Sequence, residues 1–384
     1  MIQYFKRLLK RPSDSFFLLG PRGTGKSTWV NNEFKDAYLV DLLDEEIFQS
    51  FLSDVSLFKK ELMRLEDNSW VIIDEIQRLP SLLNYVHWFI EKRQMKFALT
   101  GSSARKLKKA DTNLLAGRAI TKSMYPLLPE ELKEEVSIDA ILQHGSLPVI
   151  WQSQNKKDKL KAYVQLYLKE EIQTEGLVRN LPGFARFLPI AAIFHGQIIN
   201  ISNIARDAGV HRNTVSGFLQ ILEDTLLGFK IPAFEGKIKA REKKHPKFYL
   251  FDPGVVRAIK NQFGQVSMEE KGPLFEGWIA NMLRFYGEHN DLFDELYYWS
   301  PAELKNTEVD FLLKKENRFI AIEVKAATRL RPEHFNGLKA IKNLSNLRRR
   351  ILIYLGCKSL KTDDSIEVYS INDFCREISN LEVC

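Results

Sequence analysis

The stretch Gly20-Pro21-Arg22-Gly23-Thr24-Gly25-Lys26-Ser27 constrains the fold of this chain more than any other feature. It has the spacing G-x-x-x-x-G-K-[ST], follows the apolar run Phe16–Leu19 and opens a helical pattern over Lys26–Glu33. A glycine-rich turn between a buried strand and a helix aims several backbone N–H groups at one anion, and the helix N-terminus adds its dipole. Apolar runs at 37–42, 70–73 and 97–99 read as further buried strands, with helical patterns such as 82–92 between them. Short apolar strands alternating with helices predict an α/β domain with a parallel sheet, which binds ligands beyond the carboxyl ends of its strands.

This spacing makes Gly20, Pro21, Arg22, Gly23, Thr24, Gly25, Lys26, Ser27 and Thr28 the expected contacts to ATP. Lys26 is expected to reach the β- and γ-phosphates and Ser27 to hold Mg²⁺. The run at 70–73 delivers two acids. Asp74 is expected to bind Mg²⁺ through water, and Glu75 to polarise the attacking water as a general base. Thr100 ends the next strand, where it can contact the γ-phosphate or the water. Arg118 is a candidate arginine finger for a neighbouring subunit of a homo-oligomer, with Arg105 as its competitor.

At 384 residues the chain exceeds one ordinary core, so two to four domains are expected. A hydrophobic content of 45% with 27% charged residues excludes a disordered chain. The three cysteines, Cys357, Cys375 and Cys384, have no metal spacing and fit a reduced, cytoplasmic protein. No apolar run is long enough for a signal peptide or a membrane span, so no membrane partner is expected. The sequence divides into an ATPase domain at 1–130, a helical lid or linker at 131–185, a helix-turn-helix region at 186–255 and a C-terminal α/β domain at 256–384.

Within the third segment, Ile201–Ala208 reads as a short helix capped by Ser202, Gly209 as the turn, and 211–223 as a second helix. The exposed face of that helix is expected to present His211, Arg212, Asn213 and Thr214 to phosphate or base edges. From 237 to 247 there are six Lys/Arg against one acid, Glu242. A β-wing of that charge, with Lys243 and Lys244 near its centre, could track a DNA backbone, making nucleic acid an expected partner. The formal charge of +7 permits an anionic partner without requiring one. Such helices also serve as protein-interaction modules, and basic runs are often solvated loops.

In the last segment Asp310 and Glu323 lie on two strand-like runs joined by a polar turn at 314–318. Glu323 and Lys325 are two apart and share a strand face, and Glu276 sits on an amphipathic helix at 274–286. Glu276, Asp310 and Glu323 could hold Mg²⁺, or Mn²⁺, for phosphodiester cleavage, with Lys325 acting at the water or the developing charge. The same spacing allows a cross-strand salt bridge and no metal.

With these residues in hand, the chain resembles over nearly its whole length a prokaryotic family of AAA+-like ATPases with a C-terminal domain long labelled as of unknown function. The matching segments are 20–27, 72–77, 99–103, 115–118 with Pro126, 145–148, 247–254, 275–283 and 308–325. The resemblance implies a P-loop ATPase followed by a winged helix and a domain similar to PD-(D/E)XK, RecB-like restriction-endonuclease-like nucleases. It departs from the nuclease pattern at Val309, where a proline often precedes the first aspartate. The implied function is an ATPase that acts on DNA and can cut it. The alternative is a nucleotide-switched regulator or interaction protein with an inactive C-terminal scaffold. A helicase or remodelling machine without nuclease is a further rival.

Overall fold

The computed structural model describes residues 4–103, 115–132, 137–168, 180–236, 245–301 and 307–381. The chain forms two compact units, one built mainly from the first 127 residues and the other from most of the remainder.

The first unit is organised by strands β1 (Phe16–Leu19), β2 (Tyr38–Asp41), β3 (Trp70–Asp74), β4 (Lys96–Gly101) and β5 (Ile120–Ser123). Their order is β2-β3-β4-β1-β5, and every pairing is parallel, as the alternation of runs and helices predicts. Strand periodicity sorts the core onto two faces. Phe17, Leu19, Val71, Ile73, Phe97 and Leu99 pack with Phe51, Phe58, Leu82, Val86 and Phe89 on one. Phe16, Leu18, Ile72 and Ala98 pack with Trp29, Val30 and Phe34 on the other. A sheet covered on both faces needs strands apolar at consecutive positions, which is why these runs stand out. Pairings Leu19↔Gly101, Leu19↔Ser123 and Asp41↔Asp74 align the strand ends, so the glycine-rich loop and the two acids leave the sheet along one edge.

The second unit holds two sheets. The smaller comprises β6 (Gln197–Ile198), β7 (Gly228–Ile231) and β8 (Lys247–Leu250), antiparallel in the order β6-β8-β7. Helix Leu181–Ile193 precedes it, and helices Ile201–Ala208 and Arg212–Asp224 lie between β6 and β7. The cap of Ile201–Ala208 is Asn200, not Ser202: the Asn200 side chain accepts from Ser202 N and Asn203 N at 3.0 and 3.2 Å. Ser202 lies one residue inside the helix, past the cap position that asparagine favours. Gly209 makes the expected turn at φ 62°.

The larger sheet comprises β9 (Glu295–Trp299), β10 (Val309–Lys315), β11 (Arg318–Lys325), β12 (Leu347–Tyr354), β13 (Leu360–Lys361) and β14 (Glu367–Ser370), ordered β13-β14-β12-β11-β10-β9. Pairing is antiparallel across β9, β10 and β11 and parallel across β11, β12 and β14. Helix Met268–Asn290 starts six residues before the expected 274, because Ser267 and Glu270 form a reciprocal capping box that carries it through Pro273. The boundary expected at 255/256 cuts helix Pro253–Ile259, which is capped by Asp252. Asp252 also accepts from Ser146 N at 2.8 Å, which ties 128–146 into the same unit. Among the described residues no helix is long and apolar enough to cross a membrane.

His195 supplies this unit with a pH-sensitive element. It is buried, its Nδ1 accepts from Leu250 N at 3.0 Å, and a Cβ at Gly277 would come 2.2 Å from its Nε2. Burial, helped by Lys260, pushes its pKa down to about 3. The folded value lies below the unfolded one of about 6.5, so the unfolded state binds the proton first. The stability His195 contributes is present above about pH 6.5 and is lost as pH falls toward about 3, at up to ~1.4 kcal/mol per pH unit. Urea unfolding at several pH values in this window should show a shallower decline for His195→Asn than for wild type. Equal slopes would remove His195 from the acid response.

Candidate nucleotide site and a buried carboxylate cluster

The glycine-rich loop is built as its spacing requires. Gly23 and Gly25 take left-handed φ values of 80° and 90°, and Gly25 caps helix Lys26–Glu33 with no side-chain cap bond. A Cβ at Gly20 would come 2.5 Å from Met124 O, so only glycine fits there. Lys26 is buried, with Nζ donating to Gly20 O at 2.7 Å and Pro21 O at 3.2 Å, and Thr24 Oγ1 donates to Pro21 O at 2.8 Å. Ser27 is half-buried, and Arg22 and Thr28 are exposed. The sequence reading missed Arg7. Its guanidinium donates to Thr24 O at 2.7 Å and Tyr125 O at 2.6 Å, pinning the loop against the chain that follows β5.

Asp74 and Glu75 leave β3 beside this loop. Thr100 is fully buried, and its Oγ1 donates to Asp74 Oδ1 and accepts from Glu75 N at 3.1 Å. One hydroxyl thus orients both acids. Glu75 has a left-handed backbone, φ 56°, which costs a non-glycine residue about 1 kcal/mol or more. Its carboxylate accepts from Gln77 Nε2 and from Ser102 Oγ at 3.3 Å. Gln77 also donates to Ser102 Oγ at 3.1 Å, and its Oε1 is buried without a hydrogen-bond partner. Gln77 is thus a second residue to which the sequence reading gave no role, although it closes the matching segment 72–77 two positions after Glu75. Ser27 and Asp74 offer hard oxygen donors, which suit Mg²⁺. Arg118 is exposed and ion-paired with Glu91. Arg105 lies outside the described residues.

At the start of helix Arg212–Asp224, Arg212 and Asn213 are exposed and Thr214 is half-buried, and His211 just before it is exposed. Lys243 and Lys244 lie outside the described residues. Lys247, counted with the basic strip, is not on the surface. It is 2% exposed and sits among acids of the second unit.

Two of those acids, Glu276 and Asp310, are expected from sequence; Glu308 is not, and the expected Glu323 pairs with Lys325 instead. The pairing Phe311↔Ile322, continued one step, sets Asp310 opposite Glu323, and helix Met268–Asn290 brings in Glu276. Lys247 Nζ donates to Glu276 Oε1 at 2.8 Å, Glu308 Oε1 at 3.1 Å and Asp310 Oδ1 at 3.1 Å. Tyr249 OH donates to the same Glu276 oxygen at 2.6 Å, and Val324 N to Asp310 Oδ2 at 2.9 Å. Lys325 pairs with Glu323 Oε1, while Glu323 Oε2 is buried without a hydrogen-bond partner. Burial, then Asp310, pushes the Glu276 carboxyl up to about 7 and the Glu323 carboxyl well above its usual range. Burial works on Asp310 in the same direction, but Lys247 and Lys325 outweigh it and hold that carboxyl low. Burial opposes charge on Lys247 as well, and Glu276 leads the groups that overcome it and hold the ammonium well above its ordinary value.

The structure gathers the expected set of Glu276, Asp310 and Glu323 in one cluster, with Lys247 and Lys325 among the carboxylates. Glu276 and Asp310 close on an ammonium, and among the described residues no group of three or more His, Cys, Asp or Glu side chains is arranged to hold a metal ion. The sequence reading missed Lys247 and Tyr249 because they come from a strand of the other sheet.

Residues 13–133 match the AAA domain family. Residues 136–265 and 271–374 match two families described as domains of unknown function, DUF8612 and DUF4143. The chain is 22% identical over 358 residues to an uncharacterized protein of Mycobacterium tuberculosis, covering 91% of this chain and 78% of that one. It is 20% identical over 336 residues to an uncharacterized protein of Haemophilus influenzae, covering 83% and 80%. Among solved structures it has a distant likeness to the Aeropyrum pernix ORC1 protein in complex with DNA, at 12% identity and TM-score 0.32 over 66% of this chain and 87% of that one. The AAA match takes in the glycine-rich loop, Asp74, Glu75 and Thr100, so the first unit carries a P-loop ATPase domain of the AAA type.

Proposed function

We propose that this chain is a Mg²⁺-dependent ATPase that uses its nucleotide state to engage duplex DNA. Lys26 meets the β- and γ-phosphates, Ser27 and Asp74 hold the metal, and Glu75 activates the attacking water while Thr100 fixes both acids. Mg²⁺, when bound, neutralises charge on the phosphate oxygens. Arg118 completes the site of a neighbouring copy in a homo-oligomer, which requires it to leave Glu91.

The observation that carries the DNA assignment is the outer face of helix Arg212–Asp224. Arg212, Asn213, Ser216, Gly217 and Gln220 are exposed along one side, and the first acid of the helix is Glu223. A Cβ at Gly217 would meet nothing within 4 Å, so a partner can approach the backbone closely. The order helix, β6, helix, helix, β7, β8 supports reading this region as a winged helix, and Lys243 and Lys244 fall between β7 and β8 in sequence. Arg212→Glu/Lys243→Glu should weaken binding of a labelled duplex about tenfold or more, roughly equally across sequences, and flatten the salt dependence as phosphate contacts are lost. ATP turnover with and without duplex is the companion measurement. An unchanged affinity with DNA-indifferent turnover would overturn the assignment.

One observation favours a second reading of the C-terminal part. Helix Met268–Asn290, antiparallel β9–β11 and parallel β12 support reading this part as restriction-endonuclease-like, yet Asp310 and Glu276 are engaged by Lys247. On this reading the domain is an inactive scaffold of a nucleotide-switched regulator. Wild type should then leave single-stranded, duplex and branched DNA intact in Mg²⁺ and Mn²⁺. Cleavage abolished by Asp310→Ala would refute it.

A further inference from the structure

Lys247 opens β8, the central strand of the small sheet, with Ile198 opposite it on β6 and Ile231 on β7. Its backbone is therefore held from both sides. An ammonium has three N–H donors, and here each meets a different carboxylate, at 2.8, 3.1 and 3.1 Å. Tyr249, two residues on and so on the same strand face, adds its hydroxyl to the Glu276 oxygen that Lys247 uses.

The remaining oxygens narrow the chemistry. Asp310 Oδ2 is taken by Val324 N, which leaves Oδ1 as its outward oxygen, and that is the one on Lys247. Glu323 gives Oε1 to Lys325, and its buried Oε2 has no hydrogen-bond partner. Beside Glu323 lies a cleft of about 310 Å³, also lined by Glu308 and Lys325. Lys247 thus holds Asp310 Oδ1 and Glu276 Oε1, while Glu276 Oε2 takes neither the ammonium nor the Tyr249 hydroxyl and Glu323 Oε2 has no hydrogen-bond partner.

We propose that Lys247 is the resident cation of this cluster, so that its seating and the binding of a divalent metal by Glu276, Asp310 and Glu323 exclude each other. A divalent cation bound to these oxygens at about 2.0–2.6 Å would put two further positive charges within a few ångströms of the buried ammonium, and their repulsion opposes joint occupancy. Because β8 pins Lys247 at the backbone, wild type keeps the position closed to metal. Removing the ammonium leaves an acidic pocket that a divalent ion can neutralise. The inference needs neither DNA binding nor ATP turnover.

The test uses the full chain without nucleotide, with Mn²⁺ binding read by calorimetry and folding by thermal melting. Wild type and Lys247→Arg, which keeps the cation, should show no Mn²⁺ binding that depends on Asp310. Lys247→Met should gain one Mn²⁺ per chain and melt at a higher temperature with Mn²⁺ than without. Both gains should vanish in Lys247→Met/Asp310→Asn. If Lys247→Met does not fold alone, Mn²⁺ should restore its melting transition, because a ligand of the folded state drives folding by mass action. Mn²⁺ binding by wild type that Asp310→Asn removes would overturn the proposal. So would a Lys247→Met chain that neither binds Mn²⁺ when folded nor is rescued by it when unfolded.

Discussion

Lys26→Ala should lower ATP turnover by about 100-fold or more, the scale of losing a charged group aimed at developing phosphate charge. Lys26 is buried at the start of helix Lys26–Glu33, with its ammonium folded onto the Gly20 and Pro21 carbonyls at 2.7 and 3.2 Å. Those bonds keep the side chain over the loop, where incoming phosphate oxygens can replace the carbonyls as partners. Alanine removes the charge and leaves the glycine conformations in place. The loss should therefore appear in nucleotide affinity, turnover or both, with the melting temperature little changed. Titration of a fluorescent nucleotide and a phosphate-release assay on the same preparation separate the two. Wild-type turnover in a folded Lys26→Ala chain would remove Lys26 from the phosphate site.

Glu75→Gln should bind ATP within a few-fold of wild type and turn it over about 10²–10⁴-fold more slowly, the usual contribution of a positioned general base. Glutamine keeps the length and an acceptor oxygen for Ser102 Oγ, so the left-handed backbone at Glu75 and the Glu75 N to Thr100 Oγ1 bond can survive. What is lost is the carboxylate that would take the proton from water. Gln77 and Ser102 now hold that carboxylate, so Glu75 must turn from them to reach water. Single-turnover phosphate release measured beside equilibrium binding reads the split. Unaltered turnover in Glu75→Gln would assign the base elsewhere, and lost binding would give Glu75 a structural role.

What the sequence by itself determined is what local pattern carries. The glycine-rich loop has a fixed spacing, and its strand and helix announce themselves by an apolar run and a change of period, so Phe16–Leu19 and Lys26–Glu33 could be read directly. Buried strands of a doubly covered sheet are continuous apolar runs, which made β3 and β4 legible. Strand β5, Ile-Thr-Lys-Ser at the sheet edge, has no such run and was missed. The start of helix Met268–Asn290 was hidden by Pro273, although the capping pair Ser267 and Glu270 stood in plain view. The pairing of Asp310 with Glu323 followed from two short runs and the turn between them. Only the tertiary structure decided what neutralises those acids. Lys247 lies 63 residues from Asp310, in a stretch whose local charge suggested a solvent-facing strip. A lysine's sequence neighbours do not reveal whether its ammonium meets water or carboxylates, because that depends on which sheet is packed against its strand. Burial then makes the acids and the ammonium depend on each other, since neither charge is tolerable there alone.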